Sequence, residues 1–579
     1  MAAGMSMERA EPGTAACEAD YLIVGGGSAG CVLAARLSED AGTRVVLVEA
    51  GPDVSERSMP DTIRQAYPSR AFFTREFFHP GVFARFGEGG TGHARQRARY
   101  EQARVLGGGS TINGLVGNRG APADYDAWGE MGAAGWSWES VLPYFRKLER
   151  DLDFDGPYHG SDGPVPVRRL RRDETTGFIR ASFDVMHARG YEELADQNAE
   201  WRDGVMAPAI TLTERGTRAS VATCYLTDEV RARPNLTILC ETEVTHLEIA
   251  DGTAMGARVR GPEGERTIRA RETILSGGAI NTPAMLMRAG IGPAEHLAEM
   301  GIPVVHAAEG VGRNLHEHPA LGLCCFVRPG NRHAREDRHH TQLHLRFSSG
   351  VEGCPPGDMK MALLARSAWH RLGSQLATFY LWVNKPYSRG FVRLASPDPA
   401  DAPEVDFRLL SDPRDLKRLR EGFRHIVDLA RDPAYDAVRA DVFPMVYSDR
   451  VRKVSRPTRW NAFQTAVLAR MLDAFGFART WLIRRLIAPV TLDELLADDA
   501  TLDAYVDRSA VGVWHPMGTC RMGAEDDPQA VTDPAGRVHG LGGLRVCDAS
   551  LMPAAVSANT NLPTIMVAER VADLIRTGR

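Results

Sequence analysis

Four stretches of this chain carry residue types at spacings that can do chemistry. Gly25-Gly26-Gly27-Ser28-Ala29-Gly30 follows a short apolar run, Tyr21–Val24, and opens a helical pattern with Val32, Leu33 and Leu37 on one side. Gly25 permits a tight turn, Gly27 lets a pyrophosphate approach the backbone, and Gly30 lets helix and strand pack closely. A second apolar run, Arg44–Val48, ends on Glu49, which can accept from ribose hydroxyls and disfavours a 2′-phosphate. Strand, glycine turn, helix, strand and acid together predict a dinucleotide-binding unit, with the phosphates on the amides at the helix N-terminus.

The second stretch is Arg104–Gly114, whose Gly107-Gly108-Gly109-Ser110-Thr111 suits a loop entering a helix. Its amides could grip an anion or a polar ring edge, and the same residues also describe an ordinary capped turn. The third is Val513-Trp514-His515-Pro516-Met517-Gly518-Thr519-Cys520. A histidine beside a tryptophan can be a proton acceptor near neutral pH or a satisfied core residue. The fourth begins with Leu544-Arg545-Val546-Cys547-Asp548-Ala549-Ser550, a strand with an acid at its end. It continues through Asn559-Thr560-Asn561-Leu562-Pro563 into a final helix whose positive end would stabilise negative charge.

The elements that must position these residues are legible in outline. A second strand–glycine–helix junction at Thr273–Pro283 places Pro283 near the first turn of a helix and implies that one sheet is still growing there. The segment from Pro52 to Gly92 reads as a surface excursion without long regular elements. The tryptophans and tyrosines of Asp124–Leu148 read as core, with a helix from Trp138. From about Pro319 the pattern changes to alternating segments at Thr341–Phe347, Lys360–Leu364, Ala377–Val383 and Gly390–Ala395, followed by a helix over Asp412–Arg431. These predict an antiparallel sheet roofing the nucleotide domain. Within this region, Arg450–Val490 holds nine basic residues against one acid, Asp473, with Leu468, Leu472, Phe475, Leu482 and Leu486 at helical spacing. A basic amphipathic helix can lie on an anionic membrane surface; it can also pack on its own domain or on a sister subunit.

With 579 residues, 44% of them hydrophobic, the chain is long enough for two large cores. A net charge of −5 gives no footprint for a nucleic-acid partner. The nine cysteines form no CxxC pair or framework spacing, which suits a reducing compartment, so the cytoplasm is expected. No apolar run is long enough for a membrane span or a secretory signal, and the first sixteen or so residues read as a disordered leader.

Taken in order, GGGSAG with VLVEAG, RVLGGGSTIN, ILSGGAINTPAMLMRAGIGP, GVGRNLHEHP, VWHPMGTC and VCDASLMPAAVSANTNLPTIMVAE resemble the glucose–methanol–choline (GMC) family of FAD-dependent alcohol oxidoreductases. The resemblance runs from about Asp20 to the C-terminus. LWVNKPYSRG, PEVDFRLLSDPRDLKRL and DPAGRVHGLGGLRVCDAS carry a closer similarity to members that oxidise furan alcohols. It implies an α/β (α+β) chain, with an FAD-binding Rossmann-like domain on a parallel sheet and a substrate domain on an antiparallel sheet. The FAD domain would comprise residues 17–160, 205–318 and 505–579, and the substrate domain residues 161–204 and 319–504.

The resemblance also implies site roles. Gly25, Gly27, Ser28, Ala29 and Gly30 would hold the FAD pyrophosphate and Glu49 the adenosine ribose, while Val244 would meet the adenine through its backbone. Gly108, Asn113 and Gly114 would contact the flavin-side portion, and Asp548, Ala549 and Thr560 would complete the cradle. His515 matches the catalytic base and Asn559 the second active-site position, with Trp514 against the cofactor and, like Trp382, lining the substrate pocket. The implied reaction converts a primary aromatic or furanic alcohol to an aldehyde, and possible hydrates on to acids, with O2 or a quinone as acceptor. The alternatives are a choline-dehydrogenase-like dehydrogenase and a hydroxynitrile-lyase-like protein in which FAD does no redox work.

Three departures bear on this. Ile112 stands where some members carry the histidine that bonds FAD covalently, so the cofactor is expected to be non-covalent. Gly114 is small where the furan-alcohol oxidising members carry more bulk, and the basic stretch around Arg450–Val490 is longer. No metal is implied, and the oligomeric state is left open.

Overall fold

The computed structural model describes residues 17–87, 97–333, 338–446 and 449–578; the expected leader over the first sixteen residues lies outside them, as does the end of the Pro52–Gly92 excursion. In chain order the strands that build the two main sheets are Cys17–Val24 (β1), Val45–Val48 (β2), Leu236–Leu239 (β3), Glu243–Ala250 (β4), Thr253–Gly261 (β5), Gly264–Leu275 (β6), Ala320–Val327 (β7), Thr341–Phe347 (β8), Met359–Leu364 (β9), Leu376–Val383 (β10), Arg439–Pro444 (β11) and Leu544–Val546 (β12). The helices used below are Ser28–Leu37 (α1), Gly278–Arg288 (α2), Pro413–Ala430 (α3), Arg459–Ala474 (α4), Arg479–Leu486 (α5) and Asn561–Arg576 (α6).

The first sheet runs in the order β4-β5-β6-β1-β2-β3, with β12 added to β6. The pairs β6–β1, β1–β2, β2–β3 and β6–β12 are parallel, whereas β4, β5 and β6 form an antiparallel meander. Val45–Val48 is buried at every position, as expected of a parallel strand covered on both faces. Register matters more than content here. Val24 pairs with Val48 and with Leu275, Val48 with Leu239, and Leu275 with Val546. Five strands therefore end level, and Gly25, Glu49, Cys240, Ser276 and Cys547 follow at one carboxyl edge, where ligands bind in open α/β sheets.

Helix α1 lies against α6. A buried carboxylate ties the two: Glu569 accepts from Arg36 at 2.7 Å, from Lys147 at 2.9 Å and from the Tyr225 hydroxyl at 2.7 Å. Burial alone would raise its pKa, but Arg36 and Lys147 hold it below the ordinary carboxylate value.

The second sheet has the order β11-β7-β10-β9-β8, extended by the short strands Gly204–Met206 and Glu193–Leu194. The expected antiparallel sheet is present, and its strands β7, β8 and β10 are almost wholly buried. The reason is that both faces are used. Leu321, Leu323, Phe379 and Leu381 pack in the core that includes Leu419, Phe423 and Ile426 of α3. Their neighbours at period two, among them Thr378, Tyr380 and Trp382, face a cavity.

Other expectations are corrected in detail. Phe391–Arg393 joins a separate four-stranded sheet with Glu404–Asp406, Phe83–Arg85 and Ala98–Arg99. Pro283 sits inside α2 rather than near its first turn. The basic stretch forms three helices, Asp449–Ser455, α4 and α5, in place of one.

Candidate active site

One cavity of about 1990 Å³ lies between the carboxyl edge of the first sheet and the second sheet. At its sheet end the backbone is shaped for close approach by a ligand. Gly25 has φ +105°, and a side chain there would meet the Ser276 carbonyl at 2.5 Å. Gly27 is different: a Cβ would find only that carbonyl, at 3.8 Å, so its open face belongs to the cavity. Gly108, at φ +52°, stands with its Cβ position 2.7 Å from the Gly27 Cα, which brings the two glycine loops together. Gly109 and Gly114 have nothing within 4 Å on the side where a Cβ would project.

Of the residues singled out from the sequence, Gly25, Gly27, Ser28, Ala29, Glu49, Gly108, Asn113, Gly114, Val244, Asp548, Ala549 and Thr560 line this cavity, as do Trp382, Trp514, His515 and Asn559. Gly30 does not. A Cβ at Gly30 would stand 1.9 Å from the Gly25 carbonyl, so this glycine serves helix–strand packing behind the cavity wall. The Glu49 carboxylate accepts from the amides of Gly26 at 2.8 Å and Gly51 at 2.7 Å, which aims it at the turn. Asp548 accepts from the Gly278 amide at 2.8 Å, Thr282 Oγ1 at 2.6 Å and the Ser550 amide at 2.7 Å, locking α2 to the end of β12. Burial raises the pKa of both carboxyls.

The chemical end of the cavity is built around His515. Trp514 has φ +62°, a left-handed conformation that costs a non-glycine residue roughly 1–2 kcal/mol. It is held there by its indole N–H on Glu101 at 3.2 Å and by the Tyr100 ring, stacked at 6.1 Å. The turn delivers the His515 amide to the Glu317 carboxylate at 3.0 Å, and Glu317 also accepts from the His318 amide at 2.8 Å and from the Tyr100 hydroxyl. Burial pushes the Glu317 pKa up to about 7.

The imidazole itself meets two partners. His515 Nδ1 lies 2.9 Å from His318 Nδ1, and His515 Nε2 lies 3.0 Å from Asn559 Nδ2. His318 Nε2 is 3.0 Å from the Val556 carbonyl, which can only accept, so that nitrogen carries the hydrogen. Burial lowers the His318 pKa to about 4 and the His515 pKa well below the ordinary imidazole value, so both rings are neutral near pH 7. Neutral His318 then has a bare Nδ1, His515 donates to it from its own Nδ1, and the lone pair of His515 is left on Nε2. Asn559 is fixed by its amide on Asn118 Oδ1 at 2.9 Å, and its Oδ1 is buried without a partner.

Glu317, His318, Tyr100 and Asn118 were not recognised as site residues in the sequence. Their signal was present in part, because Glu317 and His318 lie in GVGRNLHEHP, but two titratable residues before a proline do not by themselves reveal which catalytic group they face.

The glycine cradle, the aimed carboxylates and the cavity's size suit a dinucleotide. Ile112, buried, occupies the position before Asn113, which leaves no histidine there for a covalent link.

Models of the N- and C-terminal parts of GMC oxidoreductases match residues 19–320 and 386–568. The chain is 41% identical to 5-(hydroxymethyl)furfural oxidase of Methylovorus sp. (strain MP688), over 96% of this chain and 98% of that protein. It is 34% identical to oxygen-dependent choline dehydrogenase 1 of Chromohalobacter salexigens, over 97% and 96%. The structure of pyridoxine 4-oxidase from Mesorbium loti superposes with TM-score 0.80 at 26% identity, covering 96% of this chain and 99% of that one. A fungal aryl-alcohol oxidase shares the fold, with TM-score 0.72 at 19% identity over 97% and 99%. This chain therefore belongs to the GMC oxidoreductase family and is an FAD-dependent enzyme that oxidises alcohols.

Proposed function

We propose that this enzyme is an oxidase of primary aromatic or furanic alcohols, forming aldehydes and, from their hydrates, acids, with O2 as the acceptor and with His515 as base. The observation that carries the reading is the bare Nε2 of a neutral, buried His515 beside Asn559 at the cavity wall. When bound, FAD supplies the acceptor for the hydride that leaves the alcohol carbon. The chain's own work is to make that departure easy. His515 Nε2 takes the hydroxyl proton as the alkoxide develops, a contribution typically worth about 10²–10⁴-fold. Asn559 cannot act as a base, but its amide holds the substrate oxygen so that the carbon sits at reacting distance. Thr560, Asn561 and Thr564 bring the positive end of α6 to the cavity, where it offsets negative charge.

Substrate charge follows from the carboxylates. Glu317 is committed to two amides and Tyr100, and Glu101 to Trp514 and to Arg452 at 3.6 Å. A quaternary ammonium substrate would compete with these partners, whereas a neutral aryl or furan alcohol meets Trp382, Trp514 and Tyr380. Cys31, Cys224, Cys240, Cys324, Cys325, Cys354, Cys520 and Cys547 are unpaired, which supports a cytoplasmic setting.

The test mixes holoenzyme with 5-(hydroxymethyl)furfural, vanillyl alcohol and choline in turn. Flavin absorbance is followed without oxygen and peroxide with it. Bleaching by the furan or aryl alcohol, then peroxide on admitting air, is expected. Bleaching that persists in air until a quinone is added would replace the oxidase by a dehydrogenase. His515→Ala should retain flavin and lose most turnover, and normal turnover in that variant would remove the base from this assignment.

A further inference from the structure

Helix α4 buries one mixed face and leaves an apolar face uncovered. Asn461, Thr465, Ala469 and Leu472 are buried. On the opposite side Trp460, Phe463, Val467 and Met471 recur at spacings of three and four, and all are exposed. The stripe continues past the helix through Phe475 and Phe477 to Trp481 of α5. Exposure reaches 66% for Trp460, 61% for Phe463, 91% for Phe477 and 65% for Trp481, far beyond incidental surface apolarity. Seven of the large exposed apolar side chains among the described residues fall between 460 and 481.

Cations accompany this stripe along the same segment, Arg456 and Arg485 at the cavity's edge. Lys453, Arg456, Arg459, Arg470 and Arg485 are exposed, and none has a carboxylate partner among the described residues. The one acid of the segment, Asp473, is already bound to Arg332 at 2.6 Å.

We infer that this face docks on an anionic lipid surface. Tryptophan and phenylalanine flanked by arginine and lysine match the interface between headgroups and acyl chains, where rings enter and cations stay with phosphates. Each cation near an anionic leaflet multiplies affinity by roughly fivefold. A second copy of the chain fits less well. A two-fold pair through this face would set its unpaired cations against themselves, with no free acid to meet them. No helix among the described residues is long and apolar enough to cross a membrane, so the contact is peripheral. The inner side of the same segment borders the catalytic cavity through Leu468, Leu486 and Ile487.

Co-sedimentation of the holoenzyme with vesicles tests the inference. Pelleting with phosphatidylcholine–phosphatidylglycerol vesicles, but not with phosphatidylcholine alone, is expected, with release at high salt. The triple variant Trp460→Ser/Phe477→Ser/Trp481→Ser and the charge variant Arg459→Glu/Arg470→Glu should both stay in the supernatant. None of these five residues lines the cavity, so flavin spectrum and turnover of a water-soluble alcohol should match the parent. Holoenzyme left in the supernatant with both vesicle types would overturn the inference. So would a dimer in light scattering that the triple variant abolishes without any vesicle binding, because the stripe would then belong to a second copy.

Discussion

The Nδ1 atoms of His318 and His515 lie 2.9 Å apart, and only one of them carries a hydrogen. The Val556 carbonyl decides which, by claiming the hydrogen of His318 on Nε2. His318 thus acts through His515 as a positioning residue that keeps the base in one tautomer and one orientation. His318→Leu should lower kcat by up to about 10²-fold with KM little changed and flavin retained, as expected when a base is misplaced by about an ångström. His318→Asn, whose side-chain oxygen can accept from His515 Nδ1, should recover most of that loss. Equal losses in both variants would reduce His318 to a packing role.

The pH profile follows from the environment of His515. Burial and the neighbouring His318 hold its pKa well below the ordinary value, so the neutral base persists as pH falls through the usual imidazole range. The acid limb of kcat/KM should therefore lie below about pH 6.5, the unperturbed histidine value. A limb centred above pH 7 would mean that another group controls the step.

Gly27→Val separates cofactor binding from folding. Gly27 has an ordinary φ of −72° and open space beyond its Cα, so the chain accepts a side chain there while the bound dinucleotide does not. The purified variant should show unchanged far-ultraviolet circular dichroism and no flavin absorbance. Stoichiometric flavin would remove the first glycine loop from the cofactor site.

Arg36→Ala should leave Glu569 buried with part of its charge compensation gone, costing up to about 3 kcal/mol near pH 7, since Lys147 and Tyr225 remain. Because the folded pKa of Glu569 is depressed, its stabilising contribution is present above the unfolded value of about 4.3 and is lost as pH falls through the folded one. The Tm difference between parent and variant should shrink on moving from pH 7 to pH 4. A difference independent of pH would point to lost packing by the arginine stem.

The sequence carried the cofactor half of this site more fully than the proton-handling half. Gly25, Gly27 and Glu49 declare themselves because strand, turn, helix and acid are local, and local order is what residue spacing records. The partners of His515 come from segments far apart in the chain: His318 before β7 and Asn559 before α6 for the ring, and Glu317 for the amide, with Tyr100 acting only through Glu317. Only the packing of the second sheet over the carboxyl edge of the first brings them near one another, and that placement cannot be read from composition. The second sheet shows the same limit. Trp382 is reached through the family resemblance alone, and its period-two neighbours Thr378 and Tyr380, which share the cavity wall, carry no local signal of that role. Gly30 lies outside the cavity wall, in keeping with the helix–strand packing its spacing predicts rather than with the pyrophosphate contact the family resemblance implies.

Strand β12 pairs with β6 across nearly half of the chain, and α6 lies on α1 across almost all of it. During synthesis the glycine turn at Gly25 leaves the ribosome early and must wait for Asp548, Thr560 and α6 before its cavity has a second wall. Cofactor capture is accordingly a late event in biogenesis, and a nascent chain stalled before β12 would offer the dinucleotide half a cleft. Flavin retention by such a stalled chain would report directly on how much of the grip resides in the early-emerging loops.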